Sequence, residues 1–125
     1  VEHKKVRITA GSTVVEAELN DTATARSISA ALPLKGRVNT WGNEIYFSVP
    51  LQLESENGKE VVNMGDIGYW PDGPALCLFF GPTPMSRGSE IRAASQVNIV
   101  GKIVGDTAVL KRVRAGSNIV IERLD

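Results

Sequence analysis

The stretch from Gly65 to Pro84 limits the possible folds more than any other part of the chain. Within it, Ala75 to Phe80 is a short apolar run bounded by Gly and Pro residues, which reads as a strand. Side chains alternate across a strand, so Leu76, Leu78 and Phe80 point one way and Ala75, Cys77 and Phe79 the other. Both sets are apolar, so both faces must be covered and the strand must be central. Ile67 to Trp70 is a second such run, and Pro71-Asp72-Gly73-Pro74 supplies turn residues between the two. The pair therefore predicts a hairpin around which the remaining elements pack.

The rest of the chain supplies more short strands. Lys4 to Leu19 reads as a hairpin with Gly11-Ser12 as a two-residue type II′ loop. That register sets Ile8 opposite Val15 and Val6 opposite Ala17. On the other face it sets Arg7 opposite Glu16 and Lys5 opposite Glu18, as expected of a solvated sheet surface. Asp21 offers an N-cap to a short helix with Ala25, Ile28, Ala31 and Leu32 on its apolar stripe, and Pro33 stops it. Leu34 to Trp41 and Glu44 to Val49 predict a second hairpin about Gly42-Asn43. One of its faces carries Val38, Ile45, Phe47 and Val49. The other carries Arg37, Asn39, Trp41, Glu44 and Tyr46, a mixture of aromatic and charged groups that suits either a binding surface or cross-strand pairs on a wet face. Glu54 to Glu60 is polar and reads as a solvated excursion with Asn57-Gly58 at its tip. Pro82 to Gly88 reads as a stiff loop. Gln96 to Val104 reads as a strand in which Gly101 marks a bulge or a close backbone approach. Asp106 caps a second helix expected to run to about Ala115 and to end at Gly116, and Ile119 to Ile121 forms a last strand.

With 125 residues the chain suits one domain spanning 1–125. Its 14 acidic and 14 basic residues cancel, and without a Lys/Arg run no nucleic-acid partner is expected. The lone Cys77 excludes an intramolecular disulfide framework and fits a reducing, cytoplasmic setting as a buried, unreactive thiol. No apolar run is long enough for a membrane helix, and no membrane partner is expected. Seven or eight short strands with two short helices predict a mainly β fold, a closed barrel of about eight strands whose openings the helices cap.

Three segments carry a resemblance: Gly65 to Pro71, Phe79 to Pro84, and Val97-Asn98 with Gly101 to Ile103. Together they resemble a prokaryotic family of small cyclophilin-like proteins, over nearly the whole chain. The resemblance implies a cyclophilin-like β-barrel. It also implies kinship with peptidyl-prolyl isomerases, which bind proline-containing peptides on the outer barrel face and carry a Phe-His-Arg segment whose arginine polarises the prolyl amide. This sequence has no such segment, and its single histidine is His3.

One histidine and one cysteine without ligand spacing give no metal site, and no cofactor is expected. Two functions stand side by side. The first is a binding module for a peptide or small-molecule ligand in a groove formed by Trp41, Glu44, Tyr46, Trp70, Phe80, Thr83 and Arg87, with no catalysis. The alternative is a weak or atypical isomerase in which Arg87 or Arg37 bonds the prolyl amide. No catalytic residue can be assigned, and the bland readings stand too: Trp70 as core, and Arg87 as an ion-pair partner of Glu90.

Overall fold

The computed structural model describes residues 4–124. Ten strands form a predominantly β structure: β1 (Lys4–Ala10), β2 (Thr13–Leu19), β3 (Leu34–Arg37), β4 (Asn39–Thr40), β5 (Glu44–Ser48), β6 (Lys59–Val62), β7 (Asp66–Trp70), β8 (Ala75–Phe79), β9 (Ile91–Val104) and β10 (Asn118–Arg123). An α-helix, α1 (Ala23–Ala31), follows β2, and a 3₁₀ helix, Thr107–Arg112, precedes β10. Neighbouring strands run in the order β3, β10, β1, β2, β9, β7, β8, β5, β4, with β6 added on β9.

The β1–β2 hairpin has the expected register throughout, from Lys5 opposite Glu18 to Ala10 opposite Thr13. Gly11 has φ +60, the left-handed value that a loop of this kind asks of its first residue. Arg7 nevertheless makes its ion pair with Glu122 of β10, at 3.9 Å, rather than with Glu16, because β1 lies between both strands.

The closed barrel is not formed. The ends of the ladder are β3 and β4, which are consecutive in the chain, and no ladder joins them among the described residues. The physical reason lies at Val38 between them. Its N–H donates to the Ser117 carbonyl at 2.8 Å and its carbonyl accepts from Gly116 N–H at 2.8 Å, so the chain turns there with its backbone already satisfied. The stretch expected to run unbroken from Leu34 to Trp41 is thereby split. β3 pairs with β10, and only β4 pairs with β5, around a turn in which Gly42 has φ +61.

Two apolar clusters sit on opposite sides of β8. Leu76, Leu78 and Phe80 join a large interior cluster with Ile8, Val15, Ile45, Phe47 and Val100, to which α1 adds Ala25 and Ile28 and the 3₁₀ helix adds Leu110. Cys77 and Phe79 join a smaller outer cluster with Val62, Ile91, Ala93 and Val97. The central strand is therefore covered on both faces, as its sequence requires. The outer cover is the first half of β9, which begins at Ile91 rather than Gln96 and carries β6. It can lie over β7 because Gly68 has no side chain: a Cβ there would fall 2.9 Å from Val97.

A bulge in β9 switches its faces. Ile67 pairs with Gly101 but Gly68 with Ile99, leaving Val100 extra. Before it, Ala93 and Val97 face the outer cluster; after it, Ile103 faces the interior. Gly101 marks the close approach expected of it, since a Cβ would lie 2.4 Å from the Glu18 carbonyl oxygen.

Both helices depart in detail from their sequence patterns. The N-cap of α1 is Thr22, whose Oγ1 accepts from Ala25 N–H at 3.1 Å, because Asn20 Oδ1 accepts from the Thr22 N–H and hydroxyl and fixes the entry one residue later than Asp21. The second helix is 3₁₀ and ends at Arg112, short of Ala115, though Asp106 does cap it. The polar segment before β6 is docked as well as solvated. Glu56 accepts from Ala23 N–H and from the N–H and hydroxyl of Thr24, and its own N–H donates to buried Asn98 Oδ1 at 2.8 Å. A carboxylate at a helix N-terminus meets unsatisfied donors and the positive end of the dipole.

Candidate functional site

Outside the sheet, between the outer faces of β5 and β8 and the overhanging half of β9, lies a cavity of about 210 Å³. Register explains which side chains reach it. Tyr46 pairs with Cys77 and Glu44 with Phe79, so alternation puts Glu44, Tyr46 and Cys77 on the outer face while Ile45, Phe47, Leu76 and Leu78 fill the interior. Trp41 arrives from the other arm of the β4–β5 turn, held by its N–H donating to the Glu44 carbonyl at 3.0 Å. Trp70 closes a third side from the end of β7. Ala93, Ala94 and Val97 of β9 are small enough to leave the space between them open.

Trp70 is fixed by more than packing. Its Nε1 donates to Ser95 Oγ at 2.6 Å, and Ser95 Oγ donates to Asp72 Oδ2 at 2.7 Å, which ties β7, β9 and the β7–β8 loop together. Gly73 lies under the ring, where a Cβ would come within 2.3 Å of it. The reading of Trp70 as simple core is therefore incomplete, since the ring packs on the outer cluster and also walls the cavity.

Glu44 is the chemically distinctive group. Its side chain is buried, with the residue only 5 % exposed, and lines the cavity. Burial pushes its carboxyl up to about 7, partly offset by a hydrogen bond with the Cys77 thiol. Burial likewise pushes the Cys77 thiol well above its ordinary range, and the neighbouring carboxylate adds to this; the thiol is free and buried, as its place in an apolar strand suggested.

Of the seven residues expected to share a groove, the structure brings together Trp41, Glu44, Tyr46 and Trp70, and leaves Phe80, Thr83 and Arg87 out of the cavity. Phe80 lies in the interior cluster, because it shares the face of Leu76 and Leu78. Thr83 is buried in its own loop, its hydroxyl donating to the Arg92 carbonyl and its N–H to Ser86 Oγ. That loop supports the site from behind: the Asn43 N–H and side-chain amide both donate to the Pro82 carbonyl at 3.1 Å, and a Cβ at Gly42 would meet Pro84 at 2.8 Å. Arg87 is exposed and gives Glu90 only its backbone N–H. The guanidinium that pairs with Glu90, at 2.6 Å, belongs to Arg92. Arg37 is exposed on β3.

Cys77, Ala93, Ala94 and Val97 were not foreseen as lining residues. Alternation along β8 did place Cys77 opposite Phe80, and that could have exchanged one for the other. The alanines gave no signal, because a strand read from Gln96 excludes them.

A family model described as cyclophilin-like matches residues 4–122. This chain belongs to the cyclophilin-like family. A hypothetical protein of Archaeoglobus fulgidus, with a structure determined in solution, is similar to this cyclophilin-like chain at 44% identity and a TM-score of 0.81, over 97% of this chain and 95% of its own. No curated protein matches it. Membership of the cyclophilin-like family leaves the isomerase question to the residues. The sequence has one histidine, His3, which lies outside the described residues, and no Phe-His-Arg segment.

Proposed function

We propose that this cyclophilin-like chain is a binding module that takes a small ligand, or one side chain of a peptide, into the cavity between Trp41, Glu44, Tyr46 and Trp70. The observation that supports this most is the combination of aromatic and apolar walls with a single buried carboxylate, the usual composition of a site that binds through its walls and orients through one polar group. At about 210 Å³ the cavity is smaller than the roughly 300–1,000 Å³ of sites for drug-sized ligands, which favours a small molecule or a single group over a long peptide. The walls come from paired strands and a hydrogen-bonded loop, so little ordering is needed on binding.

Both tryptophans of the chain line the cavity, which makes it its own reporter. In a screen of metabolites and short peptides, at least one compound is expected to shift Trp emission and raise the melting temperature. Tyr46→Ala should weaken that compound at least about tenfold, the effect of an interaction worth about 1.4 kcal/mol. Arg87→Ala should not, because Arg87 lies elsewhere. Hits that bind Tyr46→Ala as well as the native protein would place the site elsewhere and end this reading.

An isomerase would have to weaken amide resonance against a rotation barrier of about 18–20 kcal/mol, and the family's means is an arginine donating to the prolyl amide. Neither Arg37 nor Arg87 lines the cavity, and the group that does, Glu44, is an acid. A protease-coupled assay with a prolyl peptide is therefore expected to give weak or no turnover. Activity near that of an ordinary cyclophilin, lost in Arg87→Ala or Arg37→Ala, would establish the isomerase in place of the module.

A further inference from the structure

We infer that the ligand of this cavity is an organic cation, whose alkylammonium group enters among Trp41, Tyr46 and Trp70 and rests against the Glu44 carboxylate. The inference rests on the binding-module reading and narrows it to one charge class.

Charge bookkeeping at the site is the first reason. Among the described residues the ion pairs are Arg7–Glu122, Arg92–Glu60 and Arg92–Glu90, and none reaches Glu44. Among the described residues no Lys, Arg or His lines the cavity. A carboxylate out of water without a counter-charge is costly, and a sequence that keeps it there beside an open space leaves the counter-charge to be brought in. The walls are the second reason. Aromatic rings carry negative faces that attract cations, and ring-lined pockets that also hold an acid favour substituted ammonium groups over neutral groups of the same shape. Small side chains on the fourth side, Ala93 and Ala94, leave room for methyl groups. An anion would meet the carboxylate with the wrong sign.

Ionisation of Glu44 must accompany such binding. The titratable groups that line the cavity with it are Tyr46 on its own strand and Cys77 on β8, while β9 presents only Ala93, Ala94 and Val97 and β7 only Trp70. Burial holds the Cys77 thiol protonated through the neutral range, and Glu44 is the carboxyl that ionises there.

The test uses choline and its neutral carbon isostere, 3,3-dimethylbutan-1-ol, titrated into the protein with Trp emission as the signal. A short peptide carrying trimethyllysine runs beside them, to tell a free cation from a side chain as the source of the same group. Choline or the peptide is expected to saturate the signal, and the isostere to bind about tenfold more weakly. With a carboxyl at about 7, cation affinity should rise about tenfold from pH 6 to pH 8. Glu44→Gln should abolish that rise and bring cation and isostere together. Equal binding of choline and isostere to the native protein would overturn the inference and leave a plain apolar site, as would a hit among neutral compounds with none among cations. Failure of every compound class would sink the binding module as well.

Discussion

Phe79→Ala is expected to lower stability by about 3–5 kcal/mol, and Leu78→Ala by about 2–5 kcal/mol, in denaturant melts. Both residues are fully buried, yet they belong to different clusters, because neighbours on β8 point to opposite faces. Removing Leu78 opens a hole in the interior, between β5 and the elements that close over it. Removing Phe79 opens one beneath the overhanging half of β9, next to Cys77 and Val97, where the cavity wall rests. A loss below about 1 kcal/mol at both positions would mean that β8 is not the covered strand that the fold requires.

Glu44→Gln is expected to act in the opposite direction. The Glu44 carboxyl titrates at about 7 in the folded protein against 4.5 for the free group, so between those values the folded state holds a proton that the unfolded state has lost. Stability must therefore fall as pH rises from about 4.5 to 7, and the whole cost stands above 7. At about 1.4 kcal/mol per pH unit the cost is about 3 kcal/mol. Glutamine keeps the shape and an acceptor for the Cys77 thiol without the charge. The variant should be more stable than the native protein by about 3 kcal/mol at pH 8, with the two curves converging near pH 4.5. Melts that stay parallel from pH 5 to pH 8 would show a well-solvated carboxylate. An ionised group retained at such a cost is easier to understand as part of a site than as part of a core.

Much of the fold could be read from local patterns, because those patterns were each decided by near neighbours in sequence. Gly11-Ser12 and Gly42-Asn43 set their hairpins through turn geometry alone, and the unbroken apolar run of β8 announced two covered faces. Closure of the sheet was not legible, since it depends on where Val38 finds its backbone partners some eighty residues further on. β6 was missed because its burial comes from pairing with β9, while three of its four residues stay exposed. In the site, Trp41, Glu44 and Tyr46 could be grouped because they share one face of one hairpin. Thr83 and Arg87 followed them in sequence logic as a stiff wall, but that wall turns its backbone to the β4–β5 turn and its side chains away from the cavity. Glu44 stood out in the sequence as a charge among aromatics. Its burial did not, because the pocket it lines is assembled with residues of β8 and β9 that are distant in sequence.

The extra residue at Val100 separates two kinds of evolutionary freedom along one strand. On its far side, Ile103 answers to the interior and Gly101 to the backbone of Glu18, so few replacements fit. On its near side, Ala93 and Ala94 answer only to the outer cluster and the cavity, where one added methyl or hydroxyl would reshape the opening without disturbing the interior. On the proposed binding-module reading, descendants of this scaffold exchange ligands by drift in a few positions of β9 while keeping the same interior.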